Sequence, residues 1–407
     1  PDRPHRSPPR MPIIASDPAP TAAPRAAELL DRLSLVGRAA DVRWREVDEL
    51  RHLPGDLADQ LIATGIFQAW VPAAYGGDQR AVIDVLDAIE EASYWNGSFG
   101  WCAMIGATTA LLSAHLPADW AETIYGDPGS CTGGFALPVG RARPVEGGLV
   151  VSGTWPWGSG SDHCTWIGGG TLLVDTDGTP TPRADGLIAP FVFFARDEVE
   201  LLDTWDVMGM RGTGSTDYRV DELFVPEGRW AEMQSAPPRV DAPLYRFPFM
   251  AALALGVSSV ALGLARRAVD ELVDLAGGKR PAQSSRTLAE RPAIQSEVAL
   301  AEVGFRSSRA FMREQVARAW AAAASGDLGE QHRRDLRLAA TSATLCSRQA
   351  VDRMYDAAGG SSVHRGSPLE RVFRDMHVAT QHAMVAPRTL EALGRVALGL
   401  PTDPKSF

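Results

Sequence analysis

The apolar residues of this chain change period twice, and that double change restricts the fold more than any motif does. Over residues 26–126 they recur at helical spacing, as in the stripe Leu29, Leu30, Leu33, Leu35 and Val36 with Arg and Asp between them. Pro54 opens a further helix with Leu57, Leu61 and Ile62 on one side. Ala69–Pro72 reads as extended, Tyr75–Asp78 as a turn, residues 80–95 and 98–115 as helices, and a short helix near Tyr125 precedes the break Gly126-Asp127-Pro128-Gly129. From 130 to 230 the period drops to two, in runs such as Phe191–Phe194 and Glu198–Leu202, with turns at Asp177-Gly178 and Asp185-Gly186 and a last strand at Val220–Pro226. Residues 231–246 read as a linker. Helical spacing then returns over 248–276, 287–325, 330–357 and 368–399, with glycines at the junctions, as in a four-helix bundle. The second of these patterns is apolar on much of its circumference, which predicts burial of more than one face and hence a subunit contact. The expected divisions are an arm at 1–25, a helical domain at 26–127, a β-domain at 128–232 and a helical bundle at 233–407.

A chain of 407 residues is long enough for two or three cores. Its net charge of −10 argues against nucleic acid and anionic membranes as partners, since both favour a basic surface. The four cysteines, Cys102, Cys131, Cys164 and Cys346, form no C-x-x-C pair, so neither a disulfide framework nor a zinc site is signalled, and a cytoplasmic location is expected. No apolar run is read as a membrane span. The Pro-, Arg- and Ala-rich first 25 residues lack the apolar centre of a signal peptide and read as a disordered arm.

Several chemistries are absent. No P-loop, H-E-x-x-H or G-x-S-x-G is present. His377 and His382 would sit about 140° apart on a helix, too far round to share a metal, and no metal site is expected. Gly209–Gly214 is glycine-rich but lies between strands, so it is not a dinucleotide fingerprint. What remains is Gly153–Trp166, where three tryptophans stand among glycines and hydroxyls. Such a strip either makes a flat slot for a planar heterocycle or packs as a Trp-rich β-core.

The order helices, strands, helices, joined to particular residues, resembles the acyl-CoA dehydrogenase superfamily. The residues are Val71-Pro72 with Tyr75-Gly76-Gly77, Ser152–Gly160, Trp205–Ser215 leading to Phe224-Val225-Pro226, and Arg374-Asp375. Within it, Gly97–Trp101, Ser159–Cys164, Asp203–Trp205, Gly359–Ser362 and Pro368–Arg371 are most similar to the oxygenase components of two-component flavin-dependent monooxygenases. The fold that this resemblance implies is α+β: an N-terminal helical domain, a central β-barrel and a C-terminal four-helix bundle.

The implied reaction takes reduced FMN or FAD from a separate flavin reductase and oxygenates a small organic substrate through a C4a-(hydro)peroxyflavin, in a homotetramer. The alternative is an acyl-CoA dehydrogenase or oxidase with an atypical base. The family's two positions for that base fall at Ala383 and within Met250–Ala254, and neither holds an acid. By the resemblance, Ser159 lies at flavin N5 and Trp157 beside the ring. His382 is an acid/base in the pocket, suited by a pKa near neutrality. Arg211, Thr213 and Ser215 meet flavin phosphate or ribose, and Arg286 and Gln295 reach the flavin of a neighbouring subunit. Trp101, Thr108, Thr109 and His163 line the substrate pocket, His163 orienting its loop with Asp162. Related phenol hydroxylases carry histidines where this chain has Met104–Leu112, so a simple phenol is disfavoured as substrate.

Overall fold

A computed structural model describes residues 24–232, 237–282 and 284–403. Most of the expected arm, residues 1–23, lies outside them, and Pro24 already opens the first helix. The N-terminal helices are α1 (Pro24–Val42), α2 (Trp44–Leu50), α3 (Gly55–Ala63), α4 (Val82–Trp95), α5 (Gly97–Ala110) and α6 (Ala118–Tyr125). Asn96 caps α5, its side chain accepting from Phe99 N at 3.0 Å. Every residue of α5 is buried, so this helix runs through the middle of the molecule.

The strands are β1 (Thr132–Val145), β2 (Gly148–Gly158), β3 (Trp166–Leu173), β4 (Phe191–Ala195), β5 (Glu200–Leu202), β6 (Thr216–Pro226) and β7 (Trp230–Ala231). They form one seven-stranded sheet in the order β5-β6-β2-β1-β3-β4-β7. All pairs are antiparallel except β1 with β3. The sheet is open, which corrects the β-barrel expected from the sequence. Closure requires the outermost strands to pair along their length. Here they are β5, of three residues, and β7, of two, at opposite edges, and no ladder joins them among the described residues.

Beyond the short α7 (Pro243–Arg246) come α8 (Phe249–Gly278), α9 (Pro292–Ser325), α10 (Glu330–Ala358), α11 (Pro368–Ala379) and α12 (Thr389–Ala397). The expected linker thus begins inside β7 and ends in α7, and the helix expected over 368–399 is two helices joined by turns at 380–388. Of the described helices only α8 is long and apolar enough to cross a bilayer, but 78% of its most apolar window is buried inside the protein. It packs against α4, α5, α10 and α11, which accounts for the all-round apolarity of its first half, Ala251–Ala265. α9 buries a single stripe, including Ala301, Phe305, Met312, Val316 and Ala319, and leaves Leu300 and Val303 exposed. Within one chain it covers one face and leaves those apolar residues on another.

Candidate active site

Residues two apart on a strand share a face. Trp155 and Trp157 of β2 should therefore point the same way, and they do not. Trp155 is fully buried, stacked on Tyr218 at 5.4 Å, with its Nε1 donating to Gly170 O at 2.7 Å. Trp157 has a left-handed backbone, φ 57°, where the pairing of β2 with β6 slips between Trp155 and Gly158. That reversal turns its indole out of the sheet, 60% exposed and tilted against Phe135 at 5.7 Å. A non-glycine residue held there costs ~1–3 kcal/mol, and such strain clusters at functional sites. On the neighbouring strand Leu137 and Val139 are exposed as well, where the pairing of β1 with β3 is interrupted between Phe135 and Gly140.

The chain then turns inward, and Ser159 is buried. Its Oγ accepts from Trp101 Nε1 at 3.0 Å and lies 2.6 Å from Ser215 Oγ, which lies 2.6 Å from Thr213 Oγ1. Thr213 Oγ1 donates to Met210 O at 2.9 Å, and Met210 N donates to Asp375 Oδ1 at 2.6 Å. Each hydroxyl has one proton. Thr213 spends its own on Met210 O, so Ser215 donates to Thr213 and Ser159 donates to Ser215. The chain has one direction, and it leaves Ser159 Oγ with spare capacity only to accept. Asp375 closes the far end; burial raises its pKa to about 6, against the opposing pull of Met210 N–H. Met210, like Trp157, is left-handed, φ 54°.

His382 stands in the turn after α11, not on a helix, with its ring edge-on to Trp101 at 5.7 Å. Met384 N donates to His382 Nδ1 at 3.3 Å, so the remaining proton sits on Nε2. Burial, and then the Arg337 guanidinium, lower its pKa to about 4. It is therefore a neutral donor at pH 7, and not the near-neutral acid/base expected from its type. Arg337, which sequence reasoning missed, donates from Nη1 to Met384 O at 2.7 Å. The available signal was a charge inside the apolar run Leu336–Ala340. Asp375 was noted only as part of a motif, and its tie to Met210 has no signature in the sequence.

The other expected residues scatter. Arg211 turns away to Asp206 Oδ1 (2.9 Å) and Asp48 O (3.0 Å), and lines a cleft of about 590 Å³ with Trp44, Met208, Glu370 and Arg374. Neither Ser159, Trp101 nor His382 lines that cleft, and Arg374 there is paired with Glu370 and Asp48. The buried hydroxyl chain, not that cleft, therefore marks the candidate site. Thr109 is tied to Thr132 Oγ1 at 2.7 Å, and Thr108 to Met104 O at 2.7 Å, so both hydroxyls are engaged in packing α5. His163 lies parallel to Phe67 at 6.4 Å and makes no hydrogen bond to Asp162; burial lowers its pKa to about 4. Arg286 and Gln295 are exposed in and just after the α8–α9 connection, Gln295 donating to Ala289 O at 2.8 Å, and neither touches the Ser159 group.

The family described as acyl-CoA dehydrogenase, C-terminal domain, matches residues 255–387. Indole-3-acetate monooxygenase of Pseudomonas putida is 33% identical over 359 residues, 88% of this chain and 90% of that protein. The chain belongs to the flavin-dependent monooxygenases of the acyl-CoA dehydrogenase superfamily. The solved structure of 3-HSA hydroxylase from Rhodococcus sp. RHA1 superposes on this monooxygenase with a TM-score of 0.86, at 26% identity over 93% of this chain and 98% of that one. XiaF from Streptomyces sp., solved in complex with FADH2 and glycerol, superposes with a TM-score of 0.84, at 26% identity over 93% and 96%. The monooxygenase is thus an oxygenase component that uses FMN or FAD. Its residues fit a flavin: an outward indole with exposed apolar neighbours on β1 offers a flat face, and the buried hydroxyl beside it can only accept. No carboxylate is hydrogen-bonded to Ser159, Trp101 or His382 among the described residues.

Proposed function

We propose that this monooxygenase takes reduced FMN or FAD from a separate reductase and inserts one oxygen atom into a small aromatic substrate, with the chemistry centred between Ser159 and His382. A reduced flavin, when bound, supplies the electrons that activate O2. The chain's own residues do the rest. Trp157 and Phe135 give the ring a face to lie on. Ser159 Oγ, fixed as an acceptor, favours a donor N–H such as that at N5 of reduced flavin. Trp101 walls the site and holds Ser159 in place. His382 Nε2–H is a neutral donor for an oxygen atom that gains charge. The all-buried α5 helps to keep water out.

The observation that carries this reading is the one-directional hydroxyl chain, together with Ser159, Trp101 and His382 having no carboxylate hydrogen-bonded to them among the described residues. An aromatic substrate larger than a simple phenol is supported by the absence of histidine over Met104–Leu112 and by the indole-3-acetate relative. A homotetramer, with Arg286 and Gln295 reaching a neighbouring flavin, is supported by the exposure of both residues and of Leu300 and Val303 on α9. The test is single turnover of the reduced-FMN complex with ¹⁸O2 and an indole substrate. One labelled oxygen in the product is expected, with Ser159→Ala lowering the yield at least tenfold in favour of hydrogen peroxide. Flavin reoxidation with no labelled product from any aromatic compound tried would remove the proposal.

A further inference from the structure

Three arginines are buried among the described residues: Arg229, Arg337 and Arg371. Arg229 is paired with Glu198 and Arg371 with Asp41. Arg337 has no carboxylate within ion-pair distance among the described residues, although only 6% of it is exposed. Its Nη1 is used, donating to Met384 O at 2.7 Å and touching Met384 Sδ at 3.6 Å. Its Nε is enclosed without a partner, and Nη2 makes no hydrogen bond to any described residue. A guanidinium stays charged even when burial works against it. A buried charge with an enclosed donor unmet and no counter-ion is strongly unfavourable unless an anion completes it.

The enclosed Nε and the less enclosed Nη2 lie side by side. Nε and Nη2 form one edge of the guanidinium, two parallel N–H groups at the spacing of a carboxylate's two oxygens. The position is equally specific. One residue, Met384, joins the two groups through its main chain: its N–H meets His382 Nδ1 and its C=O meets Arg337 Nη1. The imidazole in turn lies against Trp101, which holds Ser159. The free edge therefore belongs to the neighbourhood of the proposed chemistry and not to a remote structural site.

We propose that Arg337 is the anion anchor of the substrate site, its Nε/Nη2 edge receiving the carboxylate of an aryl- or indolyl-carboxylic acid. This rests on the reading of Ser159 and His382 as the site of oxygenation. The carboxylate fixes one end of the substrate, and the ring it carries then extends past His382 and Trp101. A neutral indole or phenol leaves both donors unmet, so Arg337 sets specificity for acids over their neutral counterparts. It is a binding residue and takes no part in oxygen transfer.

The experiment is calorimetric titration of the full chain with bound FMN at pH 7.5, using indole-3-acetate and phenylacetate against their primary amides. At least one acid should bind about 10- to 100-fold more tightly than its amide. Arg337→Met should bring that ratio to within about threefold by weakening the acid alone, and Arg337→Lys should retain part of it. Because methionine removes an unmatched buried charge, Arg337→Met should melt at or above the wild-type temperature in the absence of ligand; a purely structural arginine predicts a fall. The proposal is overturned if neither acid outbinds its amide, if the preference survives in Arg337→Met, or if Arg337→Met weakens reduced-FMN binding and leaves the acid preference intact. Labelled-oxygen turnover on the same samples separates the two claims. Acid preference without any oxygenation refutes the proposed function and leaves the anchor standing, whereas equal oxygenation of acid and amide at equal KM does the reverse.

Discussion

Removing the middle of the hydroxyl chain gives the sharpest test of its direction. Ser215→Ala deletes two short hydrogen bonds, to Ser159 and to Thr213, and leaves the Ser159 O–H without an acceptor in a buried site. At ~0.5–1.5 kcal/mol for each bond, the variant loses roughly 1–3 kcal/mol of stability. The effect on flavin should be the more telling one. Once Ser159 no longer has to donate to Ser215, its hydroxyl is free to rotate and donate elsewhere. It can then serve an oxidised N5, which accepts, as readily as a reduced one, which donates. A change of about one hydrogen bond shifts the preference for reduced over oxidised flavin by roughly tenfold. The assay is a pair of titrations on wild type and variant: oxidised FMN followed by fluorescence, and dithionite-reduced FMN titrated anaerobically. The expected result is a ratio of dissociation constants that falls toward unity in Ser215→Ala. A folded variant whose ratio stays within twofold of wild type would show that the hydroxyl chain does not dictate how Ser159 meets the flavin.

Trp157→Gly should relieve the left-handed backbone at φ 57° and leave the melting temperature unchanged or raised, while weakening FMN affinity at least tenfold through loss of the indole face; a large drop in melting temperature would argue that Trp157 is packed for stability. Acid should also destabilise the protein through two histidines. His163 and His382 have folded pKa values of about 4, below the usual 6.5, so their contribution is complete above pH 6.5 and is lost as pH falls through 4, at up to ~3 kcal/mol each. Asp375, raised to about 6, acts in the opposite sense as pH falls from 6 to its ordinary value of 3.8 and offsets part of this loss. Urea midpoints for wild type and His163→Gln at pH 7.5 and 4.5 measure the effect, with the variant expected to show the shallower fall.

Long helices were legible because a period of 3.6 persists over many turns, as in α8 and α9. The end of α11 was not. Met376, Val378, Met384 and Val385 keep an apolar rhythm across the turns at 380–388, and only Pro387 hinted that the helix could not continue. That break is what places His382 beside Trp101. Sheet closure was illegible for a different reason: it depends on the outermost strands, and β5 and β7 are too short to leave a pattern. At the site, Ser159 and Trp157 stood out by resemblance, yet strict alternation would have buried Trp157 along with Trp155. The reversal is written in the backbone, with Gly158 and Gly160 as its only trace in the sequence. The neutral state of His382 and the missing partner of Arg337 are products of burial, which composition does not encode.

The position of α8 governs how the molecule can open. Because α4 and α5 pack against α8, as do α10 and α11, parting either pair would strip apolar surface from its stretch Ala251–Ala265, which is buried almost throughout. Neither pair can act as a hinge at modest cost.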